Sequence, residues 1–533
     1  MVAEMGKEPR SLKEVFRSAS VAREFKQFYE RRTGQPVRLY ERSVVERNGN
    51  VLFLIRVGYE RKLVITIIGS KPPVGNFTAE EQGEMAAGGT AYRYLVCPCN
   101  HLNAEMLREY FTFTRPKVMG SILAAGMGDR IGLTTPAHIR AARRFNVFPV
   151  LAQQSVREMS WTGRSPWEVL DDVSWAVFQE GYQGGFAADA NHLKTEEDVA
   201  ATFEAGFTMF TLDPSDHVDD EAGGYDLDTL ERKFKELPWK DLKCGPQEYF
   251  ERYLNKRFDI HSQDHALGLE FTREKLLRTA VKYSAALAHV SRLVGYLRDI
   301  SKGADFDLEI SVDETDTPTS PLEHFFIASE LKRLGIQIRS LAPRFVGRFE
   351  KAVDYIGDTD EFEKAFRDHV LIAKHCGPYK LSIHSGSDKF SIYPIMGELG
   401  GDLIHLKTAG TSYLEALRIV ARHDPRLFRG IVGYALERFE ENRKAYSISA
   451  DSSAIADPNE VKDAELEEVF LNENNGRQVM HITYGSILTA RDGNGWLFRD
   501  RVRKVLMEHE EEYYQTVASH FERHFRAIGF VGK

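Results

Sequence analysis

The chain has 533 residues, too many for one ordinary core, so it holds either one large α/β domain with insertions or two to three domains. Its 70 Lys and Arg against 79 Asp and Glu leave a formal charge of −9. That balance argues against a nucleic-acid platform, because neutralising phosphates needs a clustered basic surface. Hydrophobic residues at 42% exclude a disordered chain, and only 4 cysteines exclude a disulfide scaffold and fit a reducing compartment.

The first residues, MVAEMGKEPRSLKEVF, lack the apolar core of a secretory signal. No run reaches the roughly 20 apolar residues that cross a bilayer. These features predict a soluble, cytoplasmic protein with neither membrane nor nucleic-acid partner; a homo-oligomer stays open. Residues 1–115 read as a separate α/β module. SLKEVFRSASVAREFKQFYERR has helical spacing, and VLFLIRVGYERKLVITIIG reads as two β-runs joined at Glu60–Arg61. Cys97-Pro98-Cys99 is spaced too closely for a zinc knuckle and has no second pair, so it reads as structural.

From residue 116 short β-runs alternate with helical stretches. The runs are KVMGSILAAGMGDR, NVFPVLAQQS, GGFAADANHLK, FTMFTLDPSDH, DFDLEISVDETDT, IQIRSLAPRF, KLSIHSGSDKF and DLIHLKTAG. Eight such units imply a closed parallel barrel, an α/β fold of the (β/α)8 TIM-like type. The barrel core is expected over 116–411. It carries a charged, helical insertion at 218–303 over or beside the mouth, and 412–533 forms the last barrel helix and a helical extension.

Side chains alternate along a strand, so one face of each run meets the helices and the other the barrel axis. Parity turns Asp189, Glu309, Asp313, His384, His405 and Lys407 inward, and Arg344 ends the inward set of its run. A packed core does not hold so many ionisable groups without an ion or ligand. His384 and His405 lie on neighbouring strands, with carboxylates elsewhere on the ring; this mixture suits a divalent transition metal of the Zn, Mn, Ni or Co type. His192 lies just past its run and faces outward by strict parity, but it is kept as a third ligand. Lys407 and Arg344 suggest an anionic or polyhydroxyl substrate. Asp129 and Arg130 after the glycine-rich AGMGDRIG, Gln154, and Ser385 with Asp388 in the SGSDK loop are further candidate substrate contacts.

GDRIGLTTPAHIRA, PVLAQQSVREM, ADANHLKTEEDV, FTLDPSDHVDD, LSIHSGSDKFSIYP, IHLKTAGTSYLEALR and HITYGSIL together resemble the tagaturonate/fructuronate epimerase family, which includes tagatose/fructose 4-epimerase relatives. The resemblance spans roughly 120–490. It implies a barrel, a divalent metal, and interconversion of D-tagaturonate and D-fructuronate. The substrate would be a sugar acid or a ketohexose. In such a substrate the inverted carbon lies beyond the ketone's immediate neighbour, so removal of an α-proton would invert the wrong centre. A reverse aldol is direct: a base takes the hydroxyl proton, the adjoining C–C bond breaks to an enediolate stabilised by a Lewis-acidic metal, and the aldehyde rotates and is attacked on its other face. On this reading Asp189 and Glu309 are the acid/base pair and Asp313 is a substrate contact; the alternative makes Glu309 a ligand and gives its proton-transfer role to Asp313. His192, His384 and His405 are the ligands. The insertion and the HITYGS segment are candidate lids. A class II-type sugar-acid aldolase and a non-catalytic sugar-acid-binding barrel use the same residues and are the alternatives.

Overall fold

The computed structural model describes residues 12–69, 71–73, 75–493 and 495–533. Two compact units result. One gathers the chain up to Arg115 together with Asp171–Gly185, a segment that the sequence had placed with the barrel; the other holds Pro116–Leu170 and Phe186–Lys533.

The first unit is built on an antiparallel sheet. Its strands are β1 (Val37–Arg47), β2 (Asn50–Val57), β3 (Glu60–Ile68), β4 (Glu81–Ala87) and β5 (Thr90–Pro98), in the order β1-β2-β3-β5-β4. Only β2 and β3 have the unbroken apolar character that announces a strand. β1 is interrupted by Arg38, Glu41 and Arg42, and its register shifts between Tyr40 and Val45. Alternation splits the sheet into two apolar faces. Phe53, Ile55, Val64 and Tyr94 pack with Phe25 and Tyr29 of the helix Leu12–Thr33. Leu52, Leu54, Leu63 and Ile65 pack with Ala104 and Leu107 of the helix His101–Tyr110 and with Trp175 and Phe178. Cys97 stands opposite Leu63 in this sheet, and burial pushes the thiols of Cys97 and Cys99 up to about 12.

The second unit is the barrel. β6 (Ala124–Met127), β7 (Phe148–Ser155), β8 (Ala187–Leu193) and β9 (Met209–Leu212) precede the long insertion. Within the insertion lies a hairpin of β10 (Arg257–His261) and β11 (Ala266–Glu270). β12 (Asp307–Val312), β13 (Ser340–Pro343), β14 (Lys380–Ile383) and β15 (Ile404–Thr408) follow. All eight β-runs read from the sequence form strands. They close into a parallel ring, with β9 against β12 and β15 against β6. Two irregularities matter for the site. Register shifts between Val150 and Ala152 where β7 meets β8, and again between Ala190 and Leu193 where β8 meets β9. An extra residue of this kind turns the following side chains to the other face.

The insertion contributes no residue to either of the two cavities described below. Its helices Leu227–Lys235, Pro246–Tyr253 and Arg273–Ser301 match the helical expectation, but the hairpin does not. The helix Arg273–Ser301 packs against Glu196–Ala205 on one side and Pro321–Arg333 on the other, which makes it the barrel's own fourth outer helix. After β15 the helix Thr411–His423 completes the outer ring, and Glu510–Ala527 packs on it and on Thr135–Ala142. No helix of the described residues is long and apolar enough to cross a membrane.

The chain's end is held by a close backbone approach. A Cβ added at Gly397, in the helix Tyr393–Gly400, would stand 1.9 Å from the carbonyl oxygen of Ile528. Neither backbone can yield as a side chain would, so Gly397→Ala is expected to destabilise the barrel unit by roughly 1–3 kcal/mol. A lowered urea midpoint is the expected reading; an unchanged midpoint contradicts the contact.

Candidate active site and metal centre

At the carboxyl ends of the barrel strands the ionisable side chains form one connected layer. Lys407 of β15 is its hub. Its Nζ lies 2.7 Å from Asp189 Oδ2 and 2.7 Å from Glu309 Oε1, and it donates to Asn191 Oδ1 at 3.0 Å and Thr211 Oγ1 at 2.8 Å. Three ammonium protons thus face four oxygens. Glu309 also accepts hydrogen bonds from Ser340 Oγ and from His384 Nε2 at 2.7 Å. Burial alone would discharge these groups. Instead the two carboxylates lift Lys407 above the usual lysine value, and Lys407, followed by His384 and His405, draws Glu309 well below the usual carboxylate range.

This arrangement corrects two expectations. Lys407 is not free to bind a substrate anion, because its charge is already engaged on the barrel axis. Asp189 and Glu309 line neither cavity described below; both are fully buried around Lys407 and His384.

One step outward lies a donor group. Ring nitrogens of His192 and His384 and an oxygen of Asp313 all come within 4.8 Å of one another. His192 reaches this position because the break in β8 turns it: its φ is +54°, in the left-handed region, so strand parity no longer applies. Its Nδ1 is 2.8 Å from Asp213 Oδ2, leaving Nε2 for the group, and its ring meets that of His384 edge-on at 4.9 Å. His384 Nε2 is held by Glu309, while its buried Nδ1 makes no hydrogen bond although Asp313 Oδ1 lies 3.1 Å away. Two imidazoles, each braced by a carboxylate on its far nitrogen and aimed at a third carboxylate, fit a divalent transition metal in donor chemistry and in support. His405 is not in this group. It lies two residues earlier on β15, with Nδ1 3.4 Å from Glu309 Oε2, and Asp313 stands where a third histidine was expected.

A cavity of about 60 Å³ opens over this layer, lined among others by Gln153, His192, His384, Lys407 and His481. Beside it is a wider one of about 290 Å³ that includes Asp313 and Arg344. Arg157, Lys351, His384, Ser385 and Tyr446 border both.

The remaining sequence candidates divide. Asp129 is buried and accepts from the backbone N–H groups of Ile131, Gly132, Thr134 and Thr135; it shapes the turn into the helix Thr135–Ala142 and borders neither of these two cavities. Arg130 reaches the cavity wall but is fixed there, with Nε 3.0 Å from Glu158 Oε1 and its guanidinium 3.6 Å over the Tyr484 ring. Gln154 donates to the carbonyl of Asp129 and faces away, whereas Gln153, turned by the break in β7, fills the space above Gly126 and lines the cavity. Arg344 borders the wider cavity and donates to the carbonyl of Thr315. Ser385 borders both cavities. Asp388 borders neither: it accepts from Arg477 Nη2 at 2.7 Å, and its own N–H donates to His524 Nε2 at 3.0 Å.

Several cavity residues escaped the sequence reading as site residues, Lys351, Arg157 and His481 among them. Lys351 lies on the connection after β13, where no periodicity assigns a facing, and Arg157 lies in the first turn of the short helix Val156–Thr162. His481 lies within the HITYGS segment, which had stood out only as a candidate lid. Burial holds its ring well below the ordinary histidine value, and its Nδ1 makes no hydrogen bond. A Cβ at Gly410 would stand 1.8 Å from its Nε2, so any larger residue there would displace the ring.

The family model described as UxaE, tagaturonate epimerase, matches residues 40–528. The chain belongs to the tagaturonate epimerase family. The tagaturonate/fructuronate epimerase of Thermotoga maritima is 42% identical over 493 residues, covering 92% of this chain and 97% of that protein. Two crystal structures of the fructuronate-tagaturonate epimerase UxaE from Cohnella laeviribosi superpose with a TM-score of 0.85. The native form is 39% identical and covers 95% of this chain and 99% of its own. A complex with one glycerol is 38% identical and covers 96% and 100%. On this footing the chain is an isomerase of the epimerase class.

In this epimerase the donor group has an electrostatic signature of its own, with no ion needed to produce it. Burial opposes charge on His384, but Asp313 and then Glu309 outweigh it and raise the imidazole to about 9. Asp313 moves the opposite way, well below the usual carboxylate range. A histidine raised above its unfolded value of 6.5 adds stability that is complete below that value and is lost as pH climbs through about 9. Chelator-stripped protein should therefore lose stability relative to His384→Gln between pH of about 6.5 and about 9. Parallel denaturation curves for the two proteins over that window would contradict the ion pair.

Proposed function

We propose that the chain interconverts D-tagaturonate and D-fructuronate by inverting C4, through reverse-aldol cleavage and re-addition. Family membership supports the substrate pair. The structural observation that carries the reading is the convergence of His192, Asp313 and His384 at the cavity, braced by Asp213 and Glu309. A divalent cation of the Zn, Mn, Ni or Co type held by those three residues would supply Lewis acidity toward the substrate's oxygens.

The chain's own residues do the rest. The C4 hydroxyl loses its proton, the C3–C4 bond breaks, and its electrons pass to the C2 carbonyl as an enediolate. C4 becomes the aldehyde carbon of a three-carbon fragment, which rotates and is attacked by C3 on its other face. His481 is the cavity's proton acceptor: burial keeps it neutral, and Nδ1 has no competing partner. Lys407, always charged, sets a fixed positive potential under the site for the growing negative charge. Asp189 and Glu309 hold Lys407 and His384 in place, which is positioning rather than proton transfer to substrate. Gln153 and Asn191 add polar contacts in the narrower cavity, where the fragments must stay aligned for re-addition.

The decisive experiment is turnover of D-tagaturonate by metal-loaded protein in D2O. D-fructuronate without deuterium on carbon is expected, since no C–H bond breaks. Deuterium at C3 or C4 defeats the reverse aldol, and accumulating three-carbon products without epimer defeat the epimerase reading altogether.

The residue roles separate in a second measurement. Asp313→Asn should lose bound metal and turnover together. His481→Gln should keep the metal and lower kcat roughly 10²–10⁴-fold. Elemental analysis beside the rate assay distinguishes them, and a fully active His481→Gln removes that residue from the chemistry.

A further inference from the structure

Almost every cation bordering the two cavities is already held by the protein. Arg130 is bound to Glu158, Arg157 to Glu314 at 3.0 Å, Arg348 to Glu350 at 3.5 Å, and Lys407 to Asp189 and Glu309. Arg344 donates Nη1 to a carbonyl and borders the wider cavity alone. Lys351 differs. It borders both cavities beside His384, and among the described residues no carboxylate lies within 4.0 Å of its Nζ. Its ammonium makes one hydrogen bond, to Ser385 Oγ at 2.6 Å, so two of its three donors have no acceptor within the protein. Burial, with Arg157 next in effect, pulls it below the usual lysine value, which marks a place short of negative charge. Its position is also fixed: Ala352 next to it and Ser385 beneath it both have left-handed backbones, with φ of +60° and +50°.

We propose that Lys351, seated on Ser385, is the residue that binds the carboxylate of a uronate substrate and so sets the preference for sugar acids over neutral ketohexoses. The inference rests on the reaction proposed above. A charge-assisted hydrogen bond to a carboxylate is worth enough to separate the two substrate classes by tenfold or more, and Lys351 lies where the far end of a chain anchored near His384 can reach it. Arg344 is the competing cation.

The test compares wild type, Lys351→Met, Lys351→Arg and Arg344→Met, all metal-loaded, on D-tagaturonate and D-tagatose. Lys351→Met should lower the ratio of kcat/KM for the uronate over the ketose at least about tenfold, mainly through KM. Lys351→Arg should keep most of the ratio. An unchanged ratio in Lys351→Met, or a drop of that size in Arg344→Met instead, overturns the proposal. Lys351→Gln gives the same comparison if methionine disturbs the fold. Calorimetry with D-glycerate, a three-carbon hydroxy acid, needs no turnover. Binding at least about tenfold weaker to Lys351→Met than to wild type supports the assignment, and equal binding sinks it. If wild type turns over neither sugar, the reaction reading fails while the glycerate measurement still decides Lys351.

Discussion

The ammonium of Lys407 on the barrel axis is the constraint from which the rest of the site follows. Two buried carboxylates flank it at 2.7 Å each, so the layer carries more negative than positive charge before any ligand arrives. Adding Asp313 and Asp213 deepens the excess. A low-dielectric interior does not hold such an excess unbalanced. His384 is the group that answers it: protonated, it pairs with Glu309 and Asp313; deprotonated, it offers Nδ1 beside the same Asp313 as a ligand atom. A proton and the proposed cation are thus alternative ways to satisfy one charge deficit, so the same few side chains would govern both.

Strand periodicity made the barrel legible, and it made the inner layer legible wherever strands are regular. Glu309, Asp189, His405 and Lys407 face the axis because β12, β8 and β15 alternate without interruption up to those residues. The same rule failed where the backbone departs from it. His192 faces inward through a left-handed residue at a register break, and Gln153 rather than Gln154 faces in because β7 slips against β8. A slip of one residue reverses every later facing, and nothing in residue type announces it. Facing also differs from depth. His405 and Lys407 share a face, but two residues along the strand separate a histidine beside Glu309 from the cation that carries the layer. Lys351 and His481 were out of reach for another reason: on irregular connections and on a C-terminal helix, position is fixed by contacts between distant parts of the chain.

Those contacts show what the C-terminal extension adds to the barrel. Buried Lys389 donates to the carbonyls of Glu350 and Ser387 at 3.0 Å each and of Val353 at 2.5 Å, tying the connection that carries Lys351 to the one that carries His384 and Ser385. Burial lowers it to about 8, so this clamp stays largely charged at neutral pH. From the extension, Arg477 donates to Asp388 and to the carbonyl of Ala352, and His524 accepts the N–H of Asp388. Ala352, Ser385 and Asp388 are all non-glycine residues with positive φ, a conformation that persists only when surrounding contacts over-determine it.

The proposed chemistry gives that restraint a purpose. A reverse aldol divides the substrate into two fragments with no covalent tether to the protein, and free diffusion of either would turn an epimerase into an aldolase. The fragment must rotate while both of its ends stay within reach. Loops after barrel strands are ordinarily mobile and variable. Here two of them are pinned by an internal lysine and by helices that follow the barrel, while His481 enters the cavity wall from that same extension, packed closely on Gly410. A bare ring of eight strands and helices carries the proposed metal donors and the axial charges; the added helices hold the walls still around them. The barrel supplies the means of breaking the bond, and the extension supplies the confinement under which the same two fragments meet again.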